Sequence, residues 1–310
     1  MIDLSKKNIV KLANETNFIK DNIEKVMRLI DILEIIYSSE WKEKFILKGG
    51  TAINLFYANM PRLSVDIDLD YSIESRDEMI KDKDLFYEYI SAVLSQKGYS
   101  LSASTKRYFA LDSYVIQYTN NAGNKDNIKI EINYLDRIHI LAPKVVKISA
   151  LNYSSDVNIL TLDCKELYGS KLAALLSRSK PRDVFDVDYA INAGIIKNDD
   201  ILRKCLVFYN CIGGEGDIVN KDYSKIDMLK KRDFDLALKP VLPKTLLFKE
   251  KSAIININKF LNDLLIFKDE ETKFVEQFKE GKYMPEYLFN NEIADRIKNH
   301  PMALWRCSNI

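Results

Sequence analysis

Apolar side chains at helical spacing open the chain. Phe18, Ile19, Ile23, Val26, Met27, Ile30, Leu33 and Ile36 recur every three or four positions, with acids and lysines between them. Residues 5–44 are therefore predicted to be helical, with one face against a core. At 45–70 the period changes. Phe45-Ile46-Leu47 meets Gly49-Gly50, a helix-compatible stretch follows at 51–57, Pro61 marks a turn, and Ser64-Val65-Asp66-Ile67-Asp68-Leu69 alternates. This pattern predicts strand, glycine turn, short helix, turn, strand. A polar run at 74–84 leads into an amphipathic helix at 85–96, stopped by Gly98. Residues 108–118 and 128–135 are rich in β-branched and aromatic side chains and flank Asn120-Asn121-Ala122-Gly123-Asn124, which predicts a β-hairpin. Short apolar runs at 145–146 and 159–160 suggest further strands.

From there the pattern is helical. One helix, capped by Thr161 or Asp163, runs through 179. Pro181 suits the first turn of the next, which closes at Gly194. Val184, Val187 and Ile191 form its packing face, with Asp183 and Asp186 off that face. Pro240 and Pro243 break the helices of the C-terminal part, where Trp305 is expected to dock the tail. Gly213-Gly214-Glu215-Gly216 is expected to form a mobile loop, because no strand–helix frame surrounds it. The fold class expected is α/β: a small mixed sheet within 1–160, behind an N-terminal helix, and a helical lobe over 161–310.

Composition changes this picture little. The chain has 310 residues, long enough for about two domains, with 47% hydrophobic and 29% charged side chains, as in ordinary globular proteins. No apolar run approaches the roughly 18 to 20 residues of a membrane span. Four scattered cysteines and two histidines make a zinc site a poor expectation and point to free thiols in a reducing cytoplasm. Net charge is +1, which neither requires nor excludes a nucleic-acid partner. Locally, 165–182 carries five basic residues against one acid, and 221–251 nine against five; these are solvated helix faces or a nucleic-acid footprint.

The stretch 45–70 carries the chemistry. Residues two apart in a strand share a face, so Asp66 and Asp68 project together. Paired carboxylates repel unless a cation sits between them, and their oxygens suit Mg²⁺. Gly49 and Gly50 permit close backbone approach, and the N–H groups opening the helix at Thr51 suit phosphate. The hydroxyls of Thr51 and Ser64 and the Arg62 guanidinium can add phosphate contacts. Glu131, on the hairpin's second strand, could share the aspartates' face or be an ordinary exposed acid. Lys171 falls inside the apolar arc of Leu167, Leu172 and Leu175, so it either snorkels to water or serves a site.

The stretch Leu47-Lys48-Gly49-Gly50-Thr51-Ala52, then Arg62, Ser64, Asp66-Ile67-Asp68-Leu69, resembles the signature of the AbiEii/AbiGii toxin family within the polymerase-β-like nucleotidyltransferase superfamily. The resemblance covers about residues 40–190. It implies a polymerase-β-type sheet and transfer of a nucleotide from a nucleoside triphosphate, with Mg²⁺ on Asp66 and Asp68 and Glu131 as a third acid. Family members carry a helical lysine followed by an R-D-x-x-D-like element. That places Lys171 and Asp186 in the active site, with Asp183 competing for the acid's role. The resemblance further implies a cytoplasmic toxin of a toxin–antitoxin or abortive phage-infection pair, an AbiEi-type antitoxin partner and an RNA (tRNA) 3′ end as acceptor. Transfer to a protein hydroxyl is the alternative, and a non-catalytic nucleotide-binding regulator is the reading from another class.

Overall fold

The protein is described from a computed structural model, over residues 2–213, 218–220 and 222–310. The glycine loop expected at 213–216 lies, beyond Gly213, outside the described residues. The chain forms two compact units. One holds the chain up to Arg137 with Pro143–Leu162 and Val241–Leu246; the other holds Ile138–Ala142, Asp163–Pro240 and Leu247–Ile310.

The first unit contains α1 (Lys6–Thr16), α2 (Lys20–Tyr37), β1 (Phe45–Lys48), α3 (Gly49–Ala52) continued by a π turn at Ile53–Tyr57, β2 (Asp66–Tyr71) and α4 (Arg76–Gln96). It continues with β3 (Ser100–Leu101), β4 (Lys106–Arg107), β5 (Leu111–Thr119), β6 (Lys125–Asn133), β7 (Lys144–Ala150) and β8 (Tyr153–Thr161). The strands form one mixed sheet in the order β3-β5-β6-β2-β1-β8-β7, with β4 paired to β5. β1 and β2 are antiparallel, while β2 pairs with β6, and β1 with β8, in parallel. The alternation of β6 explains its seat: Ile128, Ile130 and Ile132 are fully buried on one face.

The N-terminal stretch is two helices rather than one, because Asn17 adopts a left-handed φ of 60° between them. Ile19 is the N-cap of α2 and 38% exposed, so it leaves the apolar stripe. Helix α4 begins well before the amphipathic segment. Ser75 caps it, and Asp82, within the polar run, is buried against the Tyr71 hydroxyl at 2.7 Å and Lys44. Val241–Leu246 joins this unit through backbone bonds from Leu63 N to Val241 O and from Lys244 N to Asn17 O, both 2.8 Å.

The second unit is helical: α5 (Cys164–Arg178), α6 (Pro181–Asn192), α7 (Asp200–Gly213), α8 (Ser224–Asp227), α9 (Lys231–Ala237), α10 (Glu250–Leu264), α11 (Asp269–Lys279), α12 (Asn291–Ile297) and α13 (Pro301–Cys307). Asp163, not Thr161, caps α5, since Thr161 ends β8. Gly169 lets α5 and α7 approach: a Cβ there would overlap the Cys205 side chain. Ile138–Ala142 is held by the buried Glu166 carboxylate, which accepts from Ile140 N at 2.9 Å and Leu141 N at 2.7 Å. Trp305 is 49% exposed and does not dock the tail; Arg306 does, donating to the carbonyls of Ile212 and Gly213. Among the described residues no helix is long and apolar enough to cross a membrane.

Candidate active site

In the first unit the glycines, Arg62, Ser64 and the aspartates lie together. Asp66, Asp68 and Asp70 occupy alternate positions of β2, while Ile67 and Leu69 on the opposite face are fully buried. Register puts Lys48 of β1 beside Asp68 on one side and Glu131 of β6 beside it on the other. Glu131 thus stands next to Asp68 although 63 positions separate them in the chain. Its carboxylate meets Lys129 Nζ at 2.6 Å, and among the described residues no three His, Cys, Asp or Glu side chains converge as a ready metal cage.

The two glycines make room for side chains. Gly49 has a φ of +72°, and a Cβ on it would overlap the Asp68 carboxylate. A Cβ on Gly50 would lie 2.8 Å from Arg62 Nη2 and 3.0 Å from Ser64 Oγ. Arg62 is only 2% exposed and donates to Leu63 O at 2.8 Å. Thr51 departs from the expectation of a phosphate contact. It is buried, and its hydroxyl donates to Asp66 O at 2.5 Å, so it ties α3 to the start of β2.

Lys48, Asp70 and Asp136 were not among the residues expected at the site. Lys48 Nζ lies 2.5 Å from Asp70 and 3.3 Å from Asp136. Burial disfavours its charge, but Asp70, Asp136 and, more weakly, Asp68 outweigh it and raise its pKa above the ordinary lysine value. The period of Asp66-Ile67-Asp68-Leu69-Asp70 signals Asp70; nothing local signals Asp136.

The second unit brings Lys171, Asp183 and Asp186 together. Lys171 Nζ is 3.0 Å from Asp183 and 3.1 Å from Asp186, and all three residues are buried. The lysine does not snorkel. Both acids, expected off the packing face of α6, instead turn inward to it. Arg178 Nε adds a contact to Asp183 at 2.9 Å. Burial would push the Asp183 carboxyl up, but Lys171 and Arg178 outweigh it and hold it down at about 2.

The family of the nucleotidyl transferase AbiEii toxin, of type IV toxin–antitoxin systems, matches residues 31–276 of this chain. The chain belongs to this family. It is a nucleotidyltransferase toxin, as the signature around Asp66 and Asp68 led one to expect. In fold it is similar to MenT4, a nucleotidyltransferase toxin from Mycobacterium tuberculosis H37Rv, at a TM-score of 0.65 and 12% identity, over 97% of this chain and 99% of that one. The expected mixed α/β fold thus has a solved counterpart. A search of curated proteins finds no match.

In this AbiEii chain the two basic stretches differ. Within 165–182, Lys165 pairs with Asp199 at 2.8 Å, Lys171 with both aspartates and Arg178 with Asp183, and Arg182 donates to Ala237 O at 2.9 Å. Most of that local excess is spent inside the helical unit. Lys230, Lys231 and Arg232, at the start of α9, are all exposed at the surface.

Proposed function

We propose that this AbiEii-family enzyme transfers a nucleotide from a nucleoside triphosphate to an RNA 3′ end, with a divalent metal held by Asp66 and Asp68. The observation that carries the metal reading is the alignment of Asp66 and Asp68 on one face of β2, with Gly49 shaped so that the Asp68 carboxylate lies against its backbone. Hard carboxylate oxygens suit Mg²⁺, which ordinarily takes one or two protein carboxylates and completes its shell with water and substrate phosphates. When bound, the ion would neutralise phosphate charge and favour ionisation of the attacking hydroxyl.

The chain's own groups do the rest. Gly50 leaves space beside the Arg62 guanidinium and the Ser64 hydroxyl, which are the donors we assign to the triphosphate. The acceptor hydroxyl oxygen attacks the α-phosphorus and gives up its proton to solvent, the bond to the β-phosphate bridging oxygen breaks, and pyrophosphate leaves with its electron pair. Glu131 is the candidate third acid. Lys171 is assigned to charge neutralisation during transfer and Asp186 to holding that lysine, with Asp183 its second partner. A cytoplasmic AbiEi-type antitoxin is the partner this reading carries.

The test is incubation with each α- or γ-labelled triphosphate, Mg²⁺ and total cell RNA. Label on RNA from the α position alone supports the proposal. Label on protein, or from the γ position alone, refutes it in favour of a protein acceptor or phosphoryl transfer. Asp66→Asn and Asp68→Asn should abolish transfer with the fold intact, and Lys171→Ala should lower it by orders of magnitude.

A further inference from the structure

The acidic face of β2 already contains a cation. Lys48 Nζ bridges Asp70 Oδ1 at 2.5 Å and Asp136 Oδ2 at 3.3 Å. Asn133 Nδ2 donates to the same Asp136 oxygen at 2.9 Å. Asp70 is 1% exposed, and a carboxylate so buried needs a counter-charge. The lysine's place is set by the backbone, because β1–β2 pairing makes Lys48 the register partner of Asp68. Three aspartates at alternate positions of one strand repel one another, most strongly between neighbours.

We infer that Lys48 is a positioning residue for nucleotidyl transfer: its ammonium fills a cation place formed by Asp70 and Asp136, and so directs an added divalent ion to Asp66 and Asp68. A covalently attached cation fills its place at any metal concentration, which a dissociable ion does not. The oxygens around it are hard donors, so with the ammonium removed the same place should take a divalent ion. The second half of the inference rests on the metal reading above; the first half stands without it.

The test counts Mn²⁺ bound to the full chain, by electron paramagnetic resonance without nucleotide, beside turnover on RNA. Lys48→Met should bind one more Mn²⁺ per chain than the wild type and lose about ten- to a hundredfold in turnover. Lys48→Arg should keep the wild-type count and most of the activity. Lys48→Met/Asp70→Asn should lose the extra ion. A Lys48→Met protein with wild-type Mn²⁺ count and turnover overturns the proposal. Should Lys48→Met fail to fold, the uncharged Lys48→Gln decides on the same two readouts: one extra Mn²⁺ with reduced turnover supports the proposal, and a wild-type count with full turnover overturns it. The metal reading fails separately, if Asp66→Asn and Asp68→Asn leave the wild-type count unchanged, and the extra ion in Lys48→Met still judges Lys48.

Discussion

Asp183→Asn isolates the ion cluster of the helical unit. Asp183 is 2% exposed and its carboxyl is held at about 2, against an ordinary 3.8. A shift of that size corresponds to about 2 kcal/mol of stability at neutral pH, at roughly 1.4 kcal/mol per unit. The sign follows from the depressed pKa. Above about 4 the group is ionised in folded and unfolded chains alike and its contribution is complete; below about 2 it is protonated in both and the contribution is gone. The amide keeps the volume but leaves Lys171 with Asp186 at 3.1 Å as its one charged partner of the pair, while Arg178, 56% exposed, regains water. The expected cost is about 2 to 3 kcal/mol at pH 7, below the roughly 3 to 5 kcal/mol of leaving a buried charge with no partner. The chain has two tryptophans, Trp41 in the sheet unit and Trp305 in the helical one, so a Trp41→Phe background makes fluorescence report the helical unit. Guanidinium unfolding between pH 7 and 3 should then show the gap between the wild-type residue and the Asp183→Asn variant narrowing as pH falls below about 4. A gap that stays constant to pH 3, or one under about 0.5 kcal/mol at pH 7, refutes the reasoning.

Glu166 should behave with the opposite sign. Burial pushes its carboxyl up to about 7 despite bonds from Leu141 N, Ile140 N and the Tyr209 hydroxyl, so its contribution is complete below about 4.5 and lost as pH rises through about 7. The stability of Glu166→Gln should therefore fall less steeply with pH than that of the wild type across that window, and parallel profiles would contradict the assignment. Gly49→Ala should lower the melting temperature and cut transfer at least about tenfold, because its left-handed φ and the Asp68 carboxylate both oppose a Cβ; full activity would show that the Asp68 position is not critical. Replacing Lys230, Lys231 and Arg232 with alanine should weaken RNA binding and flatten its log–log salt slope, by about 0.7 for each phosphate the patch neutralises, with triphosphate binding unchanged. An unaltered slope would make that patch a solvated face.

What the chain concedes to a reader depends on how far apart the interacting residues lie. The face shared by Asp66 and Asp68 is a period-two statement within one strand, so the sequence alone makes it legible. The placement of Glu131 beside Asp68 depends on the parallel pairing of β2 with β6 and on its register, and no local pattern contains either. Lys171 shows the boundary most clearly. Its place in the apolar arc of α5 is visible on a helical wheel, but its meaning is not, because both partners belong to α6. Asp82 is the same case reversed: an acid in a polar run, yet buried, because Tyr71 and Lys44 come to it from elsewhere. A charged side chain's environment is set by its counter-charge, and the counter-charge in each of these cases sits on a different element. Pattern therefore detects an anomaly such as Lys171 and misses a pairing such as that of Lys48 with Asp70, where the period of β2 marks the aspartate but nothing local joins it to the lysine of β1. A lysine in an apolar stripe is thus best treated as an instruction to search the neighbouring helix for two carboxylates one turn apart, which is the spacing Asp183 and Asp186 supply.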